Sequence, residues 1–115
     1  MRRGEIYLAD LVPAGGTEAN KRRPVIVVSN DGANTRSQTL GRGVVTVVPV
    51  TTNVTRVLPF QVLVPASSSG LDRDSKAQAE QVRSIDVSRL GVRVGRLPPA
   101  ATADLDAALR LHLGL

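Results

Sequence analysis

The chain has 115 residues, enough for one modest hydrophobic core and too few for two. With 42% hydrophobic and 22% charged residues it is not a disordered chain, and with no cysteine it has no disulfide, thiol catalysis or cysteine metal site. Fifteen Lys and Arg against ten Asp and Glu give a net charge of +5, which favours polyanionic partners, and the lack of aromatics beyond Tyr7 and Phe60 argues against a base-stacking platform.

Taken in order, Glu5-Ile6-Tyr7-Leu8-Ala9-Asp10 alternates at period two and predicts a first strand. Before it, Arg2 and Arg3 are followed by Gly4-Glu5 rather than an apolar h-region, so no secretory leader is expected. Asp10 to Arg22 is a thirteen-residue loop with Pro13, Gly15, Gly16 and Asn20, long for so small a domain and therefore a functional candidate. Arg23-Pro24 then opens onto Val25-Ile26-Val27-Val28, a β-branched run expected to form a central buried strand over about 24–30. Pro24 fixes its own φ and holds Arg23 extended, so the guanidinium stands at a strand mouth. Its planar fork suits a phosphate, although solvated strand ends explain Arg22 and Arg23 equally well at this point.

Asp31 to Arg42 is polar, with room for a short helical turn or none. Gly43 to Val50 is a second β-branched strand, too short to cross a bilayer, followed by the polar triplet Thr51-Thr52-Asn53. Phe60 to Val64 predicts another strand, closed by Pro65 and the turn-forming Ser67 to Gly70. Ser75 to Gln81 predicts a strand continuing towards Val82 and Ile85, and Val92 to Leu97 a last one. Pro98-Pro99 starts a helix to about His112, whose apolar face is Leu105, Ala108, Leu109 and His112 or Leu113. Short strands with one terminal helix indicate a mainly β fold, a small strongly curved sheet or barrel, in a single domain spanning 1–115. With no leader and no membrane span, a cytoplasmic protein is expected.

His112 is the only histidine and reads as a plain helix-face residue, which leaves no Ser-His-Asp triad and no zinc site. Asp72-Arg73-Asp74 reads as a loop of solvated charges, and Gly41-Arg42-Gly43 is no phosphate loop because a strand follows it. What remains is an arginine, a hydroxyl and a carboxylate drawn from strand ends: Arg23, Thr51 and Glu80. Phosphodiester cleavage without histidine needs an arginine to neutralise phosphate charge, a hydroxyl to orient it and a carboxylate as base. Spacing alone does not bring the three together.

Arg3-Gly4-Glu5-Ile6-Tyr7, Thr17-Glu18, Arg23-Pro24-Val25-Ile26-Val27-Val28-Ser29-Asn30-Asp31, Val48-Pro49-Val50-Thr51-Thr52, Glu80 to Asp86 and Arg93 to Leu97 resemble, in order, the blocks of the MazF/PemK family of toxin ribonucleases. The resemblance implies an SH3-like barrel of about five to seven strands with a C-terminal helix, assembled as a homodimer. It implies a toxin of a type II toxin–antitoxin system that cuts single-stranded mRNA at a short sequence, with no metal and no cofactor. There the substrate's own 2′-hydroxyl attacks phosphorus, so DNA is not cut. The resemblance makes Arg23 and Thr51 catalytic, and places Glu18, Asn30, Thr52, Gln81 and Arg83 against RNA. Some relatives carry Arg-x-Asp-Gln where this chain has Gln78-Ala79-Glu80-Gln81; Glu80 stands at the base position, but Gln78 lacks the arginine's charge. The implied partner is a MazE-like antitoxin with an acidic tail, which a cationic groove would hold in competition with RNA. The alternative is a toxin resembling the CcdB type, which poisons DNA gyrase on the same scaffold without cutting RNA.

Overall fold

In the computed structural model, which describes residues 1–11 and 22–115, the alternating and β-branched runs become seven strands. They are β1 Glu5–Asp10, β2 Arg22–Val27, β3 Val44–Thr51, β4 Gln61–Val64, β5 Ser75–Gln78, β6 Arg83–Asp86 and β7 Leu90–Arg96. Every pairing is antiparallel, in the order β4-β5-β3-β2-β1-β7. The long strand β3 is the hub. β2 takes one edge of it, with Val25 opposite Pro49, while β6 and β5 share the other, at Val44–Val47 and at Val50–Thr51.

Alternate faces of these strands feed two cores. Ala9, Val25, Val45, Val47 and Ile85 form one cluster, edged by Met1, Leu11, Val87 and Leu90. Its side chains come from β1, β2, β3, β6 and β7, and a three-residue 3₁₀ turn, Val87–Arg89, joins β6 directly to β7. The five strands therefore curl around this cluster as a small barrel. On the outer face Ile6, Ile26, Val48 and Val50 pack with Val62 and Val64 of β4 and with Ala101, Leu105 and Ala108 of the C-terminal helix. Each fully buried valine or isoleucine contributes about 1.5–3 kcal/mol of transfer free energy. The expected SH3-like barrel with a terminal helix is the fold observed.

Among the described residues three α-helices complete it: α1 Asp31–Leu40, α2 Ala66–Ser69 and α3 Pro99–Leu113. Helix α1 corrects the expectation of a short turn or none. Its buried residues are Asn34 and Ser37, both polar, so no apolar period announces it. Local chemistry makes it instead: the Asn30 side chain accepts from Ala33 N at 2.8 Å as N-cap, and Gly41 closes the far end at φ 67°. Asn34 is then fixed by donating to Ser29 O at 2.8 Å. The strand expected from Ser75 through Ile85 is likewise two strands, because Ala79–Gln81 form a 3₁₀ turn that tucks Ala79 into the outer core. Helix α3 ends within a residue of expectation, and the His112 ring packs on Phe60 with centroids 6.4 Å apart.

The N-terminus is locked to both long helices. Arg3 donates to Val28 O at 2.8 Å and to Asp106 at 2.8 Å, while its backbone N–H reaches Asp31 at 2.6 Å. No helix among the described residues is long and apolar enough to cross a membrane.

Candidate nucleic-acid interface

The end of β1, the start of β2 and the end of β3 meet at one end of the barrel. Ala9 lies opposite Arg23 and Asp10 opposite Arg22. The β2–β3 ladder runs Val27–Val47, Ile26–Val48, Val25–Pro49 and ends there; Arg23 lies two residues before Val25 and Thr51 two after Pro49, which brings both to the same end of the barrel. Thr51 in turn lies opposite Lys76 of β5. Thr51 and Lys76 are thus a directly opposed pair on one face, with β-carbons about 4.5–5.5 Å apart, and Arg23 stands on the next strand at the same barrel end. Arg23 is exposed, and no ion pair among the described residues engages it. Thr51 is half-buried, and its hydroxyl oxygen accepts from Asn53 N at 3.3 Å.

Further cations converge on the end of β1. Arg83 Nη1 donates to Leu11 O at 3.4 Å and Arg89 Nη1 to Asp10 O at 3.3 Å. The Arg22 guanidinium lies over Gly91, where a β-carbon would come within 3.2 Å of it. The other face of the same strand ends carries a groove of about 580 Å³, lined by Leu8, Pro24, Thr52, Leu71, Arg73 and Ser75. Arginine forks beside a hydroxyl are suited to gripping the non-bridging oxygens of a phosphodiester.

The remaining expected residues disperse. Glu80 sits in the 3₁₀ turn opposite the middle of β3, away from Thr51 at that strand's end. Its Oε2 accepts from Gln61 Nε2 at 2.7 Å, while Oε1 is buried with no hydrogen-bond partner among the described residues. Gln81 beside it is exposed. Asn30 caps α1 beyond the far end of β2, seven residues and about 23 Å along the chain from Arg23 at roughly 3.3 Å per residue. Thr52 is exposed on the groove. Glu18 lies outside the described residues.

Carboxylates elsewhere serve the fold. Burial pushes the Glu5 carboxyl up, but hydrogen bonds from Arg2 N at 2.7 Å and Tyr7 Oη at 3.0 Å, with Arg93 at 3.3 Å, hold it below its ordinary value. Burial and the bond to Glu5 raise the Tyr7 phenol. The Arg3 backbone N–H lowers Asp31, and the Ser88 N–H lowers Asp86. Among the described residues no group of three or more His, Asp or Glu is placed to hold a metal ion.

Two residues escape sequence reasoning. Lys76 reads as the polar phase of an alternating strand, yet it is 8% exposed. Arg89 follows Arg83 by six residues, and only the turn Val87–Arg89 folds it back to β1.

The family model for PemK-like, MazF-like toxins of type II toxin–antitoxin systems matches residues 2–113. Endoribonuclease MazF9 of Mycobacterium tuberculosis is 59% identical over 115 residues, covering 100% of this chain and 98% of that protein. Endoribonuclease MazF of Staphylococcus saprophyticus is 35% identical over 116 residues, covering 100% and 92%. Among solved structures, an endoribonuclease in complex with its cognate antitoxin from a mycobacterial species superposes with a TM-score of 0.80 at 26% identity, covering 100% of this chain and 96% of that one. Mycobacterium tuberculosis toxin MazF-mt6 superposes with a TM-score of 0.77 at 26% identity, covering 96% and 97%.

Proposed function

Because the chain belongs to the family of PemK-like, MazF-like toxins of type II toxin–antitoxin systems, we propose that it is such a toxin, an endoribonuclease cutting single-stranded mRNA at a short sequence without a metal ion. The observation that carries the reading is that the β2 start bearing Arg23 and the β3 end bearing Thr51 share a barrel end crowded with Arg22, Arg83 and Arg89. The 2′-oxygen of the nucleotide before the cut attacks phosphorus and gives up its proton. The bond from phosphorus to the 5′-oxygen breaks, and that oxygen takes a proton as it leaves. A 2′,3′-cyclic phosphate and a 5′-hydroxyl result.

Charge grows on the non-bridging oxygens as the fifth bond forms. Arg23 meets that charge with its guanidinium fork, carried on a backbone that Pro24 and the ladder to β1 hold in place. Thr51 orients the same phosphate through its hydroxyl. Glu80, bonded to Gln61, is an anchor for the segment between β3 and β4 in this scheme and not the base. Thr52 and Arg83 border the site and serve RNA binding, while Glu18, Asn30 and Gln81 are assigned to the groove by family resemblance alone.

The chain 1–115 acts as a single toxin domain, as a homodimer in the cytoplasm, where mRNA and antitoxin are met. Its cationic end suits the acidic tail of a MazE-like antitoxin as well as RNA, so the two compete. The gyrase-poisoning alternative is not favoured, since the named relatives are endoribonucleases.

The test is incubation of the purified protein with long single-stranded RNA in EDTA. Discrete cuts ending in a cyclic phosphate are expected, and a single 2′-deoxynucleotide before the cut should abolish that cut alone. Intact RNA across varied unstructured substrates would overturn the reading.

A further inference from the structure

Lys76 is a charge the fold does not need. It is 8% exposed, and lysine is seldom so buried without a paired acid. Its ammonium donates to a backbone carbonyl, Arg56 O, at 2.6 Å, and no ion pair among the described residues neutralises it. Sequestering an ammonium from water costs more than one charge-assisted hydrogen bond to a carbonyl returns, and a methionine of similar length would fill the same slot without that cost. Stability therefore gives no reason for the charge.

Its neighbours do. Thr51 lies directly opposite Lys76 on the same face, one strand from Arg23. The segment from Thr52 to Phe60, between β3 and β4, is tied at two points. Lys76 holds Arg56, and Gln61, itself bonded to Glu80, accepts from Leu58 N at 3.0 Å. From Arg56 the tie runs back to the site. Thr55 N donates to the Asn53 side chain at 3.3 Å, and Asn53 N donates to the Thr51 hydroxyl oxygen at 3.3 Å.

We propose that Lys76 is a positioning residue of the cleavage site: by holding Arg56 it sets the turn whose Asn53 N–H orients the Thr51 hydroxyl towards the scissile phosphate. This rests on the endoribonuclease reading above. Buried as it is, Lys76 does not touch RNA, so its loss acts on turnover and leaves substrate binding in place. With the tie cut, the turn relaxes and the hydroxyl rotates freely among its rotamers.

The experiment compares wild type, Lys76→Met, Asn53→Ala and the double variant, reading thermal midpoint, kcat and KM on one single-stranded RNA. Lys76→Met should melt at or above the wild-type temperature, with kcat down at least about tenfold and KM within about threefold. Asn53 is exposed, so Asn53→Ala keeps the fold and should lower kcat several-fold through the same relay. The double variant should lose no more than Lys76→Met alone, because both break one path. Wild-type kcat in Lys76→Met overturns the proposal. So does an activity loss matched by a lower melting temperature, or a double variant whose losses multiply. Absence of cleavage by the wild-type chain is a different result, and it overturns the endoribonuclease reading itself.

Discussion

Replacing Gly95 with alanine should drive the Ser69–Gly70 segment off strand β7. A β-carbon at Gly95 would overlap the Ser69 carbonyl oxygen and stand 3.1 Å from its carbon and 3.5 Å from Gly70 Cα. Carbon–carbon contacts settle at about 3.5–4.0 Å, so the carbonyl carbon must retreat by about half an ångström and its oxygen by more. The obstacle is backbone and cannot rotate aside. Ser69 is buried, its hydroxyl accepts from Leu71 N at 3.2 Å, and Gly70 and Leu71 wall the groove beside Pro24 and Thr52. Forced overpacking of this kind costs about 2–3 kcal/mol. For 115 residues that lowers the melting temperature by about 8–12 °C. Gly41 is the control: its φ is 67° but nothing lies within 4 Å, so alanine there pays only the left-handed backbone, about 1 kcal/mol or 4 °C. Thermal melts of both variants decide. A Gly95→Ala midpoint no lower than that of Gly41→Ala would refute the steric argument.

Stability should fall on acidification. Glu5, Asp31 and Asp86 are all held below their ordinary values, so each stabilises the fold above the unfolded carboxyl value and loses that contribution as pH drops through the folded one. The melting temperature should hold steady from pH 7 and decline below about 4.5, the ordinary value for Glu5. In Glu5→Gln the decline should be shallower, and a melting curve unchanged down to pH 3 would contradict this. Glu80→Gln keeps an oxygen for Gln61 and removes the charge, and should change kcat by less than about threefold. A hundredfold loss would restore Glu80 as the base.

Strand positions are readable because two-residue periodicity and β-branched runs report burial on a pleated sheet, and Glu5–Asp10 falls at its expected bounds to the residue. Helix α1 is invisible to that reading, since Asn34 and Ser37 do the burying and caps do the rest. The break at Ala79–Gln81 is equally hidden, because Ala77 and Ala79 keep an alternating pattern through the turn. At the site, Arg23-Pro24 and Thr51 are legible as strand ends, and the antiparallel pairing of β2 with β3, which spacing does not give, brings those two ends to one side of the barrel. Lys76 could not be found that way. Its burial comes with flanking strands on both sides and a bond to Arg56 O, a tertiary contact twenty residues distant.

Single-turnover cleavage of one defined RNA by wild type and Arg23→Ala, at equal protein and with matched circular dichroism, tests most directly the assignment of Arg23 to the scissile phosphate. The variant should fold as wild type, since Arg23 is exposed, and its cleavage rate should fall about a hundred- to a thousandfold, the usual loss for one preorganised donor. Cleavage within threefold of the wild-type rate would contradict it.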